Sequence, residues 1–246
     1  ATVPLGLVVG LLLGSPQGNW YVVLMMAPLL MARHAFKMYL DSRSMNMRII
    51  ASLCSAIDAK DHYTQGHTMR VANYSKCTAE AMHKPVSFVE NITIAAMLHD
   101  VGKIGINDAL LLKPEALTAA EYNEIKRHPE IGQKIIKSVQ FPRDVHDAVL
   151  YHHLNYDLTG YPVNSKTPAQ QPVSAAILAV ADTYDAMTSD RPYRAGMTSV
   201  QAAKILREVA GTQLHPEVVE IFLQILPSLK VDEADDDFEL QLEMLT

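Results

Sequence analysis

The stretch AMLHDVGKIG, Ala96–Gly105, decides how the rest of the chain is read. An apolar helical pattern runs into it and ends on the adjacent pair His99 and Asp100, after which Gly102, Lys103 and Gly105 make a short loop. A histidine nitrogen and a carboxylate oxygen side by side at a helix end can ligate one cation, and the second carboxylate oxygen is free to reach another. The dipeptide alone says little. The same chain holds His146-Asp147 within VHDAVL, with no Gly-Lys after it, and the reversed pair Asp61-His62. Each of those reads as ordinary solvent-facing residues.

Outward from this stretch the apolar residues keep helical rather than strand spacing. Ile49, Ile50, Leu53 and Ile57 recur as the stripe of an amphipathic helix. Helical patterns extend over 66–82, 87–98, 118–139, 145–153, 173–188 and 199–226, and no sustained two-residue alternation interrupts them. Thr118 with Glu121 forms a capping box, hydroxyl and carboxylate satisfying exposed backbone donors reciprocally. Ser199 with Gln201 marks a weaker start. The expected fold is all-α, a bundle of seven or eight helices after an N-terminal hydrophobic segment and a linker helix.

A chain of 246 residues that is 49% hydrophobic suits a packed globule, but both ends depart from the average. VPLGLVVGLLLG and WYVVLMMAPLLMA flank the turn-forming SPQGN, with no charge before Arg33. That composition predicts a membrane segment over 1–33, the end of a truncated membrane domain because the chain opens on Ala. Arg33, His34, Lys37, Arg43 and Arg48 against the single acid Asp41 put the remainder of the chain in the cytoplasm by the positive-inside rule. The last sixteen residues, VDEADDDFELQLEMLT, carry seven acids and no base, so the formal charge of −6 belongs to a solvated tail. No basic patch dense enough for a nucleic-acid polymer occurs. Cys54 and Cys77 lack metal or redox spacing and suit a reducing compartment.

What lifts His99-Asp100 out of the background is its company: QGHTMRVA around His67, HPEIG from His128, YHH ending at His153, GYP at Gly160–Pro162, and AVADTYDAMTSDRPYR from Ala179. In this order and spacing they resemble the HD-GYP family of metal-dependent phosphohydrolases, from about Asp61 to Leu226. The resemblance implies an HD-domain helical bundle over 61–228, reached through a linker helix at 34–60 and followed by the acidic tail at 229–246. It implies two divalent metal ions, iron or manganese most usually, one held by His67, His99, Asp100 and Asp182, the other by Asp100 as a bridge with His128, His152 and His153. With a bridging hydroxide such a centre carries a charge of about +1, enough to draw in a phosphodiester. Lys103 would hold a phosphate oxygen. Asp182 in the apolar run ILAVADTYDAM is credible as a ligand because an unpaired buried acid is costly; Asp185 would orient a ligand or cap a neighbour.

The implied reaction is hydrolysis of cyclic di-GMP to pGpG, with a further step to GMP left open, and with Tyr161, Arg191 and Arg194 contacting substrate. Alternatives are an HD-type hydrolase of another nucleotide or cyclic dinucleotide, and a sensor that binds without turnover. The chain departs from the family pattern at Leu154, where an acid is usual, at Leu158, where glycine is usual, and at Tyr63, where some members place a glutamate for a third metal. The second HPE run, at His215, reads as a helix start with proline in its first turn. Parallel pairing of the linker helix would give a homodimer at the bacterial inner membrane.

Overall fold

The computed structural model describes residues 6–7, 10, 14, 18–60, 66–113, 115–162, 169–190 and 195–229. Among these every regular element is helical, and the chain divides into two compact units, Ala1–Ile49 and Ile50–Thr246. Helix α1 is Gly18–Lys60. Nine more helices come after it among the described residues: α2 His67–Ala81, α3 Val86–Leu98, α4 Asp108–Leu111, α5 Ala119–Ile125, α6 His128–Ile136, α7 Arg143–Tyr151, α8 Val173–Thr188, α9 Ser199–Val209 and α10 Pro216–Ile225. A 3-10 turn, Val101–Gly105, separates α3 from α4. The only β-type pairings among the described residues are two isolated bridges, Leu154 with Gly160 and Ala210 with Leu214.

The all-helical expectation holds, but two long patterns break where the backbone demands it. The 118–139 pattern splits into α5 and α6 because Pro129 has no N–H to give Ile125 and its ring would crowd that carbonyl. The 199–226 pattern splits at Gly211, whose φ of +86° lies in the left-handed region. Thr118 and Glu121 form the capping box, whereas α9 is capped one residue earlier than expected, by Thr198 with Gln201 reciprocating. His215 sits just ahead of Pro216 as the N-cap residue of α10.

No helix among the described residues is long and apolar enough to cross a membrane, so the spanning segment expected at the N-terminus is not supported. Helix α1 is long, but its apolar run gives way at Arg33 to Lys37, Asp41, Arg43 and Arg48 within the same helix. Most of the VPLGLVVGLLLG run lies outside the described residues. Within the second unit, Ala51, Cys54 and Ile57 are the buried face of α1, and Leu53 is exposed. The small side chains on that face permit close approach: Cys54 Sγ lies 2.7 Å from the Met97 carbonyl oxygen.

Helix α8 is the centre of the bundle. It is apolar almost all round, with Ala175 through Ala181 buried, and it packs on α2, α7, α9 and α10. Tyr74, Tyr184 and Phe222 join α2, α8 and α10 through edge-to-face contacts with ring centroids 5.0–6.0 Å apart. A second close contact matters more for the site. A Cβ built on Gly102 would lie 1.8 Å from the His128 carbonyl oxygen and 2.6 Å from the Gly132 nitrogen. Glycine at 102 therefore lets the 3-10 turn press backbone to backbone on α6, which brings Asp100 to His128. Gly102→Ala should cost about 3 kcal/mol, because neither clashing group is a side chain able to rotate away. Urea unfolding of the variant checks this.

Candidate metal centre

Three of the histidines are oriented by one repeated local device. His99, His128 and His152 follow the ends of α3, α5 and α7, and each Nδ1 meets the carbonyl oxygen three residues earlier: Ala96 at 2.6 Å, Ile125 at 2.9 Å and Val149 at 3.0 Å. Carbonyls near a helix C-terminus lack intrahelical partners, so an imidazole N–H supplies one. A carbonyl can only accept, so each Nδ1 carries the proton and each Nε2 presents a lone pair on the opposite side.

His67 is oriented differently. Its Nδ1 donates to Asp185 Oδ2 at 2.7 Å, across the packing of α2 on α8. Asp185 is itself fixed by Arg70, whose Nε and Nη2 donate to its two oxygens at 2.6 and 3.0 Å, and by the Ser189 hydroxyl. This is the orienting role expected for Asp185. Arg70 was not foreseen from the sequence; its signal was a cation one turn beyond His67 on the same helix face.

The Nε2 atoms and the carboxylates then converge. His67, His99 and Asp100 form one group and His128, His152 and His153 another, each with ligand atoms within 4.8 Å of one another. Asp100 lies between them, with Oδ2 3.4 Å from His99 Nε2 and Oδ1 3.4 Å from His128 Nε2. Asp182 Oδ1 is 3.4 Å from His67 Nε2. The five histidines and two aspartates expected as ligands are thus gathered in one place. The decoys are not: His146 binds Gln133 and Asp147 pairs with Arg143. Arg191, Arg194 and Tyr63 lie outside the described residues.

The protonation pattern suits a cation. Burial holds His128 below its usual value and His152 well below it, and lowers His153 to about 4. Asp100 is buried, yet Lys103, His99, His128 and His67 hold its carboxyl well below the usual range. His67 shifts the other way despite its burial, raised by Asp185 and Asp182. With both Nδ1 protons committed, His128 Nε2 and His152 Nε2 face each other at 3.2 Å with lone pairs and no proton between them. Such an arrangement is unfavourable unless positive charge sits among the nitrogens, and buried His/Asp donors with oriented outer atoms are what divalent metal ions take. The Lys103 ammonium, 2.8 Å from Asp100 Oδ2, meets part of that demand.

The loop after His153 closes one wall. The Tyr161 N–H donates to the His153 carbonyl, and Leu154 bridges Gly160, so the segment doubles back and lays the Tyr161 ring 4.7 Å from the His153 ring. Gly160 is required at the bend: its φ is +87° and a Cβ would lie 2.3 Å from the His153 carbonyl oxygen. The two unusual leucines account for each other. Leu154 is 1% exposed in a cluster with Tyr151 and Ala175, and Leu158, in the left-handed region at φ +66°, packs against it. Burial of Leu158 offsets a backbone strain of roughly 1–2 kcal/mol. Beside the candidate ligands is a cavity of about 410 Å³ lined by Tyr122, Lys126, His152, His153, Tyr161 and Asp182 among others.

A family model described as an HD domain matches residues 46–218. A cyclic di-GMP phosphodiesterase of Thermotoga maritima is 36% identical over 198 residues, covering 80% of this chain and 54% of that protein. The 3'3'-cGAMP-specific phosphodiesterase 3 of Vibrio cholerae is 34% identical over 173 residues, covering 69% of this chain and 36% of that protein. The chain thus spans about half or less of the length of these relatives. A crystal structure of a cyclic GMP-AMP-specific phosphodiesterase of V. cholerae superposes with a TM-score of 0.63 at 13% identity, over 80% of this chain and 53% of that one, and so shares the fold. The matched model spans most of the chain and includes every candidate ligand, and the chain belongs to the HD domain family.

Proposed function

We propose that this chain is a metal-dependent phosphodiesterase that hydrolyses cyclic di-GMP to pGpG, with or without a further step to GMP, at a dinuclear centre. The observation that carries it is Asp100, whose two oxygens face two separate groups of imidazole nitrogens. Bound there, two divalent ions would supply a hydroxide nucleophile at neutral pH and offset charge developing on phosphorus. His67, His99, Asp100 and Asp182 would hold one ion and Asp100, His128, His152 and His153 the other. Iron or manganese is the reading that the family resemblance favours, although His and Asp donors also admit zinc or nickel. Asp185 and Arg70 keep the His67 lone pair aimed inward. Lys103, drawn to Asp100 by charge, stands where it can donate to a non-bridging phosphate oxygen. Tyr161, over His153, walls the substrate side, and Arg191 and Arg194 are proposed as further substrate contacts. Cyclic GMP-AMP is the second substrate to consider, because a relative specific for it is nearly as similar as those named for cyclic di-GMP.

Protein purified without oxygen and loaded with iron or manganese should turn over cyclic di-GMP, with products separated by chromatography; no turnover with either metal would sink the proposal, and faster turnover of cyclic GMP-AMP would reassign the substrate. Asp185→Asn should weaken metal binding by roughly 10- to 100-fold while leaving every ligand in place, read by metal titration. Acidity should act in one direction through His128, His152 and His153. Their folded values are depressed, so the unfolded chain binds more protons below its ordinary histidine value, and the stability they contribute above that value falls as pH drops towards 4. Urea midpoints of metal-free protein at stepped pH, compared with a His153→Gln variant, test the sign.

A further inference from the structure

We propose that Lys126 binds the second phosphodiester of a cyclic dinucleotide, the one not undergoing hydrolysis, and so selects a two-phosphate substrate. The inference rests on the reading of this cavity as a phosphodiesterase site. Lys126 caps the C-terminus of α5 and lines the same cavity as His152, His153, Tyr161 and Asp182. Its ammonium lies over two aromatic faces, 4.5 Å from the Tyr122 ring centroid and 5.5 Å from that of Tyr161. Contacts of this kind hold a cation in place without neutralising it.

Neighbouring cations are used differently. Lys113 is paired with Glu121 and Arg127 with Glu124, at 2.7 and 2.9 Å. Among the described residues Lys126 has no carboxylate at ion-pair distance, and it is the one lysine or arginine among the described residues that line this cavity. Tyr161 is the shared neighbour: its ring stands 4.7 Å from the ring of His153 and 5.5 Å from the Lys126 ammonium. A phosphodiester reacting beside His153 therefore leaves the remainder of a cyclic dinucleotide passing Tyr161 towards Lys126. The second phosphate, on the far side of the macrocycle, needs a positive partner there. A substrate with a single phosphate has nothing to offer Lys126.

The test compares Lys126→Met and Lys126→Arg with the parent chain, metal-loaded, on cyclic di-GMP and on bis(p-nitrophenyl) phosphate. Lys126→Met is expected to lower kcat/KM for cyclic di-GMP about tenfold or more through KM, as loss of a charge-assisted hydrogen bond does. Hydrolysis of bis(p-nitrophenyl) phosphate should be unchanged, and Lys126→Arg should restore most of the loss. Calorimetric binding of cyclic di-GMP to metal-free protein should weaken by a similar factor in Lys126→Met. An equal loss on both substrates, or no loss of cyclic di-GMP binding, overturns the proposal. A parent chain that cleaves bis(p-nitrophenyl) phosphate but neither binds nor cleaves cyclic di-GMP overturns the substrate reading itself, and this inference with it.

Discussion

Everything at the centre of this protein depends on orienting imidazole rings from outside, so that their lone pairs meet inside. His99, His128 and His152 each give an N–H to a carbonyl three residues back at the end of a helix, and His67 gives one to Asp185. Each acceptor fixes a tautomer, and the tautomer fixes which nitrogen faces Asp100. Burying so many nitrogens and carboxylates together would be costly in an apolar bundle without a cation to bind them. The fold thus stores a demand for positive charge at one point, and Lys103 on Asp100 shows its strength.

The surrounding helices serve that arrangement. Pro129 ends α5 and leaves the Ile125 carbonyl for His128, so the break in the helical pattern is also what aims a histidine. Gly102 lets the turn after Asp100 touch the backbone of α6, which sets the distance from Asp100 to His128. Helix α8, apolar around nearly its whole circumference, carries Asp182 and Asp185 one turn apart on the side that faces α2. The loop beyond His153 adds a wall rather than a ligand, and its two leucines trade a strained backbone at Leu158 for a buried contact with Leu154.

Several of these features are legible along the chain. The candidate ligand histidines at 99, 128 and 152 fall at helix ends, within short motifs whose order and spacing are distinctive. Their orienting carbonyls lie three residues away, so local sequence carries both the donor and its partner. Helical periodicity marked most elements, and the Thr118-Glu121 box marked one start correctly. The splits at Pro129 and Gly211 were missed because periodicity continues across them while the backbone cannot. The membrane segment was inferred from an apolar run that, within the described helix, yields to charge at Arg33.

Apolar spacing was enough to specify that the chain is helical, and the family resemblance carried by its short motifs implied which of the ten histidines are candidate ligands. How those residues divide around Asp100 is a matter of tertiary packing, because that division depends on backbone contact at Gly102 and on α2 meeting α8. Arg70 and Asp185, 115 residues apart, find each other only through that packing. Lys126 is likewise an ordinary lysine in sequence, and it becomes a charge in the cavity only once the loop at Gly160 returns Tyr161 to its side. Local chemistry can be read from spacing along the chain, whereas the joining of distant side chains is set by the helix packing that buries them.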